Sequence, residues 1–226
     1  MNHLTLYMAP GTCARVPCIL LEEAGADFET QVIRFMRGEH KAPPFKAINP
    51  KGKVPALTID GQTLSENIAI ITYLAARFPA ASLLPEAGGD LDRARQLADL
   101  SWCAATMHPV VTRIRLPGFF ATEAATRTVW KKGCEAMDEH FQLVEDQLAS
   151  GDWWYGASWS AMDAYLYWIF WRVESAGYDV SRFPRYCEHK ARSEQRPAVE
   201  RALAREKKAE NILENEGLLF TPPPVP

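Results

Sequence analysis

A change of hydrophobic period across one breaker-rich stretch constrains this chain more than any other feature. Residues 79–90 carry Pro79, Pro85, Gly88 and Gly89 and almost no periodicity, which marks a linker. Before it, short alternating runs take turns with one helical pattern at a time. After it, the apolar residues recur only at helical spacing and no strand is convincing. A single sheet and a single bundle are both excluded. The expected organisation is an α/β domain over residues 1–78, the linker, and an all-α domain over residues 91–226.

In the first part, Leu4 to Tyr7 reads as a strand that stops at Pro10-Gly11. A helix from Ala14 to Ala24 follows, with Val16, Ile19, Leu20 and Ala24 on one face, Pro17 tolerated in its first turn and Gly25 at its end. Phe28 to Ile33 is a second strand, followed by a loop through Asn49-Pro50 with room for one helical turn. Val54 to Ile59 and Gln62 to Leu64 flank Asp60-Gly61, a strong hairpin signal. Ser65 is the expected cap of a helix from Glu66 to Arg77. The order is βαβ, then ββα.

In the second part, helices are expected over Leu91 to Leu116, Glu123 to Ala149, Ser160 to Ala176, and around Tyr186 to Ser193 and Ala198 to Glu210. Pro109 lacks a donor and clashes with the carbonyl four residues earlier, so a kink is expected near Ala105 to His108. Ser160 and Asp163 have the spacing of a capping box. Thr221 to Pro226 is too rich in proline for a helix.

The chain's 226 residues are enough for two such domains, and 47% hydrophobic with 23% charged residues excludes a disordered chain. A net charge of −3 supplies no field for polyphosphate, so nucleic acid is not an expected partner. The first residues lack a basic segment followed by an apolar run, and no stretch reaches the ~18 apolar residues of a membrane span; the expected place is the cytoplasm, with no membrane partner. The five cysteines (13, 18, 103, 134, 187) and five histidines (3, 40, 108, 140, 189) are scattered without ligand spacing, so no metal is expected.

Three places carry chemistry. Cys13 lies between a strand terminator and a helix start, where free amides and the dipole favour thiolate over thiol, with Arg15 as a nearby cation. The other reading is a small buried apolar residue, which Cys18 fits better. The segment Asn49-Pro50-Lys51-Gly52-Lys53-Val54-Pro55 leads into a strand with a proline that needs an edge, a turn or a cis bond. Ser65-Glu66-Asn67 opens a helix whose amides suit a carboxylate while Glu66 suits an ammonium; an ordinary cap with an acidic first turn is the alternative.

Taken together, Tyr7 to Cys13, Asn49 to Pro55, Ser65-Glu66-Asn67, the linker, the helical second part and the Ser160–Asp163 box resemble a bacterial cytosolic glutathione transferase of the beta class. The resemblance implies a thioredoxin-like first domain, an all-helical second domain carrying the electrophile pocket, and glutathione as co-substrate between them. It implies that Pro55 is cis, that Lys53, Val54 and Pro55 form the edge against the cysteinyl part, and that Glu66 and Asn67 hold the γ-glutamyl end. Asn67 stands where Ser or Gly is commoner, which assigns that contact to an amide side chain. His108 resembles the histidine that faces the active site, although matching Trp102 instead shifts the correspondence by three residues; a helix-surface histidine is the alternative.

The implied activity uses the glutathione thiolate on a small electrophile, with Cys13, Thr12 or a backbone amide donating to the sulfur, or transfers thiols through a mixed disulfide on Cys13. A homodimer is implied, through the helices Glu66 to Arg77 and Leu91 to Leu116, with Asp99 near the partner's site. The competing reading is a non-catalytic module that keeps the fold to bind ligands or proteins.

Overall fold

A computed structural model describes residues 3–221, so the expectation for the proline-rich end falls outside them from residue 222 onward. The chain forms two compact units. One runs through Leu83 and takes in Gln195–Thr221; the other is Leu84–Glu194.

The first unit contains β1 (Leu4–Met8), α1 (Arg15–Glu23), β2 (Glu29–Val32), α2 (Pro43–Ile48), β3 (Ala56–Ile59), β4 (Gln62–Ser65) and α3 (Asn67–Arg77). Its sheet has the order β2-β1-β3-β4. β1 and β2 run parallel because α1 carries the chain back between them, whereas β3 is antiparallel to both β1 and β4. Leu6 of β1 pairs with Leu57 of β3, and both side chains are fully buried. The βαβ, then ββα order is as expected, and the sheet is the thioredoxin-like arrangement that the family resemblance implied.

Several boundaries differ from the sequence expectation for local reasons. β3 begins at Ala56 rather than Val54, since the Val54–Pro55 bond is cis and Pro55 has no N–H for a ladder. The segment expected as a loop holds two 3₁₀ turns, Phe35–Arg37 and Glu39–Lys41, and then α2, whose first turn accepts Pro43 and Pro44 because its N–H groups need no helical partner. Ser65 is the last residue of β4 and not a cap; Glu66 occupies the capping position, and no side chain caps α3.

The largest difference concerns α9 (Pro197–Asn215), which the periodicity places among the helices of residues 91–226 but which belongs to the first unit. It packs on α1, and α3 packs there as well, so α1 is buried from Arg15 through Glu22. Ala209 and Leu213 of α9 join Val32 in an apolar cluster. Polar contacts complete the join. Glu22 accepts from Arg201 and Arg205, Glu23 pairs with Arg196, and the Arg205 guanidinium lies 3.9 Å from the centre of the Phe28 ring.

The second unit contains α4 (Asp90–Ser101), α5 (His108–Arg115), α6 (Thr126–Gln147), α7 (Ala161–Glu174) and α8 (Pro184–Glu194). The kink expected from Pro109 takes the form of a π-helical turn over Trp102–Met107, which absorbs the missing donor between α4 and α5. α7 is buried at every position from Ala161 through Phe170, because α4, α5 and α8 pack around it. Phe141 of α6 centres an aromatic cluster, with ring centroids 4.7 Å from Tyr186, 5.0 Å from Tyr178 and 5.3 Å from Phe183. The capping box forms. Met162 N–H donates to Ser160 Oγ at 3.2 Å, and the Asp163 carboxylate accepts from Ser160 N–H at 2.8 Å. Among the described residues, no helix is long and apolar enough to cross a membrane.

Candidate functional site

The first unit gathers three segments that lie far apart in sequence. The Asn49–Lys53 loop is shaped by its own side chains: buried Asn49 donates from Nδ2 to the Lys53 carbonyl at 2.7 Å and accepts from Lys51 N–H at 3.2 Å. Gly52 is required there. Its φ is +61°, and a Cβ would sit 2.7 Å from the His40 carbonyl oxygen. The loop delivers Val54 and the cis Pro55 to the edge of β3, and the Cys13 Sγ lies 3.9 Å from the Val54 carbonyl oxygen.

Cys13 itself precedes α1 and is half-buried. Its carbonyl accepts from Asn67 Nδ2 at 3.1 Å, which ties the cysteine turn to the start of α3. Asn67 is thereby 6% exposed. The side-chain amide that the resemblance assigned to a γ-glutamyl carboxylate is already donating to the protein. What α3 offers an anion is its first-turn backbone N–H groups, which have no partner inside the helix. Thr12 is also engaged, since its hydroxyl donates to the Ala9 carbonyl at 2.6 Å.

Arg15, the cation expected near Cys13, is paired with a carboxylate. It is 4% exposed and paired with Glu206 of α9, with Nε at 2.8 Å from one carboxylate oxygen and Nη2 at 3.1 Å from the other. Glu206, also 4% exposed, accepts in addition from the Gly11 N–H. The Glu206 carboxylate opposes the arginine's charge, so Arg15 adds less to the cysteine turn than a lone cation would. Cys18, one turn further into α1, behaves as the buried apolar residue expected: desolvation pushes its thiol up to about 12.

Glu66 has φ +76° and ψ 128°, a conformation that costs a residue with a side chain about 1–3 kcal/mol. Its carboxylate is exposed and takes the Lys51 ammonium, with Nζ 2.7 Å from Oε1 and 3.2 Å from Ser65 Oγ.

Cys13, Thr12, Lys53, Val54, Pro55, Glu66 and Asn67 thus all belong to the first unit. His108 belongs to the second, at the start of α5, where its ring meets Trp168 edge-on at 4.6 Å and Nδ1 lies 3.4 Å from the Tyr165 hydroxyl. Asp99 lies in that unit too, its Oδ2 accepting from Trp154 Nε1 and the Tyr155 hydroxyl. Two contacts near the cysteine turn had no sequence signal that could have found them. Glu206 sits in a run of charges, Arg205-Glu206-Lys207-Lys208, that reads as a solvated helix face. The Asn67–Cys13 bond spans 54 residues.

Known proteins share this architecture across both units. Residues 2–76 match the model of the glutathione S-transferase N-terminal domain, and residues 123–205 that of the C-terminal domain. The chain is 28% identical over 206 residues to glutathione S-transferase GstA of Escherichia coli O157:H7, covering 90% of this chain and 98% of that protein. It is 31% identical over 211 residues to the maleylacetoacetate isomerase maiA of Aspergillus fumigatus, covering 88% and 89%. Among solved structures, a sphingomonad glutathione S-transferase complexed with glutathione superposes with a TM-score of 0.78 at 36% identity, covering 90% of this chain and 98% of that one. Two family domains in their order, relatives matched almost end to end, and a four-stranded unit joined to a helical one lead to a single assignment: the chain belongs to the glutathione S-transferase family.

Proposed function

We propose that the chain binds glutathione on its first unit and uses it in a transferase reaction in which Cys13 stands beside the glutathione sulfur. One observation carries the reading: Cys13 joins its thiol to the Val54 carbonyl and its own carbonyl to the Asn67 side chain, although 54 residues separate Cys13 from Asn67. The Val54 backbone pairs with the cysteinyl part, flanked by Lys53 and Pro55. The first-turn amides of α3 take the γ-glutamyl carboxylate, and Glu66 takes its ammonium. Glutathione laid along this line brings its sulfur to the cysteine turn.

Two reactions follow from that placement. In conjugation, Cys13 donates to the glutathione thiolate, which attacks a small electrophile and expels its leaving group or adds to its double bond. In thiol transfer, the Cys13 thiolate attacks the glutathione sulfur of a mixed disulfide and expels the other thiolate. A second glutathione thiolate then attacks the disulfide on Cys13, releasing oxidised glutathione and restoring the cysteine. Thr12 is the secondary donor, since its hydroxyl must first leave the Ala9 carbonyl. The working protein is proposed to be a cytoplasmic homodimer.

Calorimetry tests the binding. Glutathione binds saturably, and Glu66→Ala weakens it by about 1.5–3 kcal/mol, the range for a charge-assisted hydrogen bond. A wild-type chain that binds no glutathione overturns the proposal. Cys13→Ala separates the two reactions: loss of thiol transfer alone assigns Cys13 to disulfide attack, whereas loss of both, by roughly two orders of magnitude, makes it the general donor.

A further inference from the structure

Glu66 already holds an ammonium, and that ammonium belongs to the protein. Lys51 Nζ donates to Glu66 Oε1 at 2.7 Å and to Ser65 Oγ at 3.2 Å, a two-point contact on a carboxylate and a hydroxyl. Among the described residues it is the one cation paired with Glu66. The two partners differ in how they are held. The Lys51 backbone is fixed by the Asn49 side chain, and the neighbouring Gly52 carbonyl accepts from Lys41 Nζ at 3.2 Å. The lysine side chain is 54% exposed and the glutamate 64%, so the contact is between a flexible stem and a solvated carboxylate. Such a pair is weak and exchangeable.

We infer that Lys51 is a displaceable internal counterion that occupies the ammonium subsite of Glu66 and makes ligand binding an exchange of one ammonium for another. The inference rests on the proposed glutathione site. A primary ammonium on the ligand presents the same three donors as the lysine and can replace it on Glu66 and Ser65. A ligand without an ammonium leaves the internal pair in place and gains nothing from Glu66. Lys51 therefore lowers the affinity for every ammonium-bearing ligand by the strength of the internal pair. It also keeps Glu66 from standing as a bare anion in the free protein. Because one ion pair replaces another, binding changes the number of pairs little, and its dependence on ionic strength is shallow.

Lys51→Met removes the competitor while keeping an unbranched stem. Calorimetry compares wild type and variant with two probes, glutathione and its analogue lacking the γ-glutamyl α-amino group. The expected result is that Lys51→Met binds glutathione up to about five-fold more tightly, the most an exposed pair supplies, and gains no affinity for the deaminated analogue. The variant's affinity for glutathione also falls more steeply with added salt than the wild type's, because it forms an ion pair that nothing replaces. Weaker glutathione binding by the variant would make Lys51 a ligand contact and overturn the inference. Unchanged binding, or an equal gain for both probes, overturns it as well. A wild type that binds neither probe removes the glutathione reading itself, an outcome distinct from all of these.

Discussion

The Cys13 turn and the Glu66 turn lie in one unit and are linked through Asn67, yet they are secured in opposite ways. Around Cys13 the holding groups are buried: Glu206 takes the Gly11 N–H and the Nε and Nη2 donors of Arg15, and both charged side chains are 4% exposed. Around Glu66 they are solvated, and the backbone at +76° is strained. The cysteine turn is thereby fixed by buried groups, whereas the Glu66 carboxylate, the proposed recognition group, has a solvated partner. Placement matters most where a bond is to form, since a reacting sulfur a fraction of an ångström astray loses rate, while an ammonium subsite tolerates exchange.

The sharpest way to break this contrast is to remove the buried anchor. Glu206→Ala leaves the Arg15 guanidinium buried without its carboxylate, and is expected to destabilise the fold by about 3–5 kcal/mol in urea unfolding. The Gly11 N–H loses the Glu206 carboxylate at the same time, so the Cys13 turn loosens and iodoacetamide labels Cys13 at a changed rate. Glu206→Gln keeps an acceptor for Gly11 and loses the charge, which separates the two contributions. A cost below about 1 kcal/mol for the alanine variant would mean that the Cys13 turn does not depend on α9.

Three buried carboxylates show what was legible in the sequence and what was not. Asp163 caps its own helix, so its partner Ser160 lies three residues away and the spacing announced it. Its acceptance from His189 Nε2, at 3.0 Å across 26 residues, was invisible. Glu145 of α6 caps a different helix, accepting from Arg185 N–H at 3.1 Å and Tyr186 N–H at 3.0 Å at the start of α8. Glu206 holds a turn 195 residues away. Helical period revealed all three helices, but it records only which face is apolar, and these carboxylates are polar residues buried by a neighbour. For the same reason α9 read as a helix without revealing its partner α1. Asn67 reads as a candidate site residue from the Ser65-Glu66-Asn67 order, yet its side-chain partner, the Cys13 carbonyl, was not legible, because a short amide can serve ligand or backbone equally well.

At the other turn the expected effect is smaller and opposite in sign. Glu66→Gly removes the side chain from a conformation that glycine adopts freely, and the relief of strain exceeds the entropy glycine gains when unfolded. The net gain is about 1 kcal/mol in thermal unfolding, while glutathione affinity drops as it does for Glu66→Ala. A glycine variant no more stable than the alanine variant would show that the turn is not strained, and the two turns would then differ only in burial.

The smallest effect concerns acid, and it again touches the cysteine side through the join of α1 and α9. Burial alone would raise the Glu22 carboxyl, but hydrogen bonds from Arg205 and Arg201, together with their charges, outweigh it and hold the group below its ordinary value. A carboxyl that titrates lower in the folded chain contributes stability that is present above the unfolded carboxylate range of about 4.3 and is lost as pH falls through the folded value. The contribution is at most about 1 kcal/mol, since the arginines are partly exposed and the pairs are screened. Glu216, lowered by its hydrogen bonds from Arg34, acts in the same direction at the end of α9. Stability measured by urea unfolding between pH 6 and pH 3 should therefore fall in the wild type and fall less in Glu22→Gln, with the two curves converging at the acid end. Parallel curves would mean that the arginines hold Glu22 no more firmly than water does. The α1–α9 join behind Cys13 would then rest on its apolar contacts, on the Glu23–Arg196 pair and on the buried Arg15–Glu206 pair.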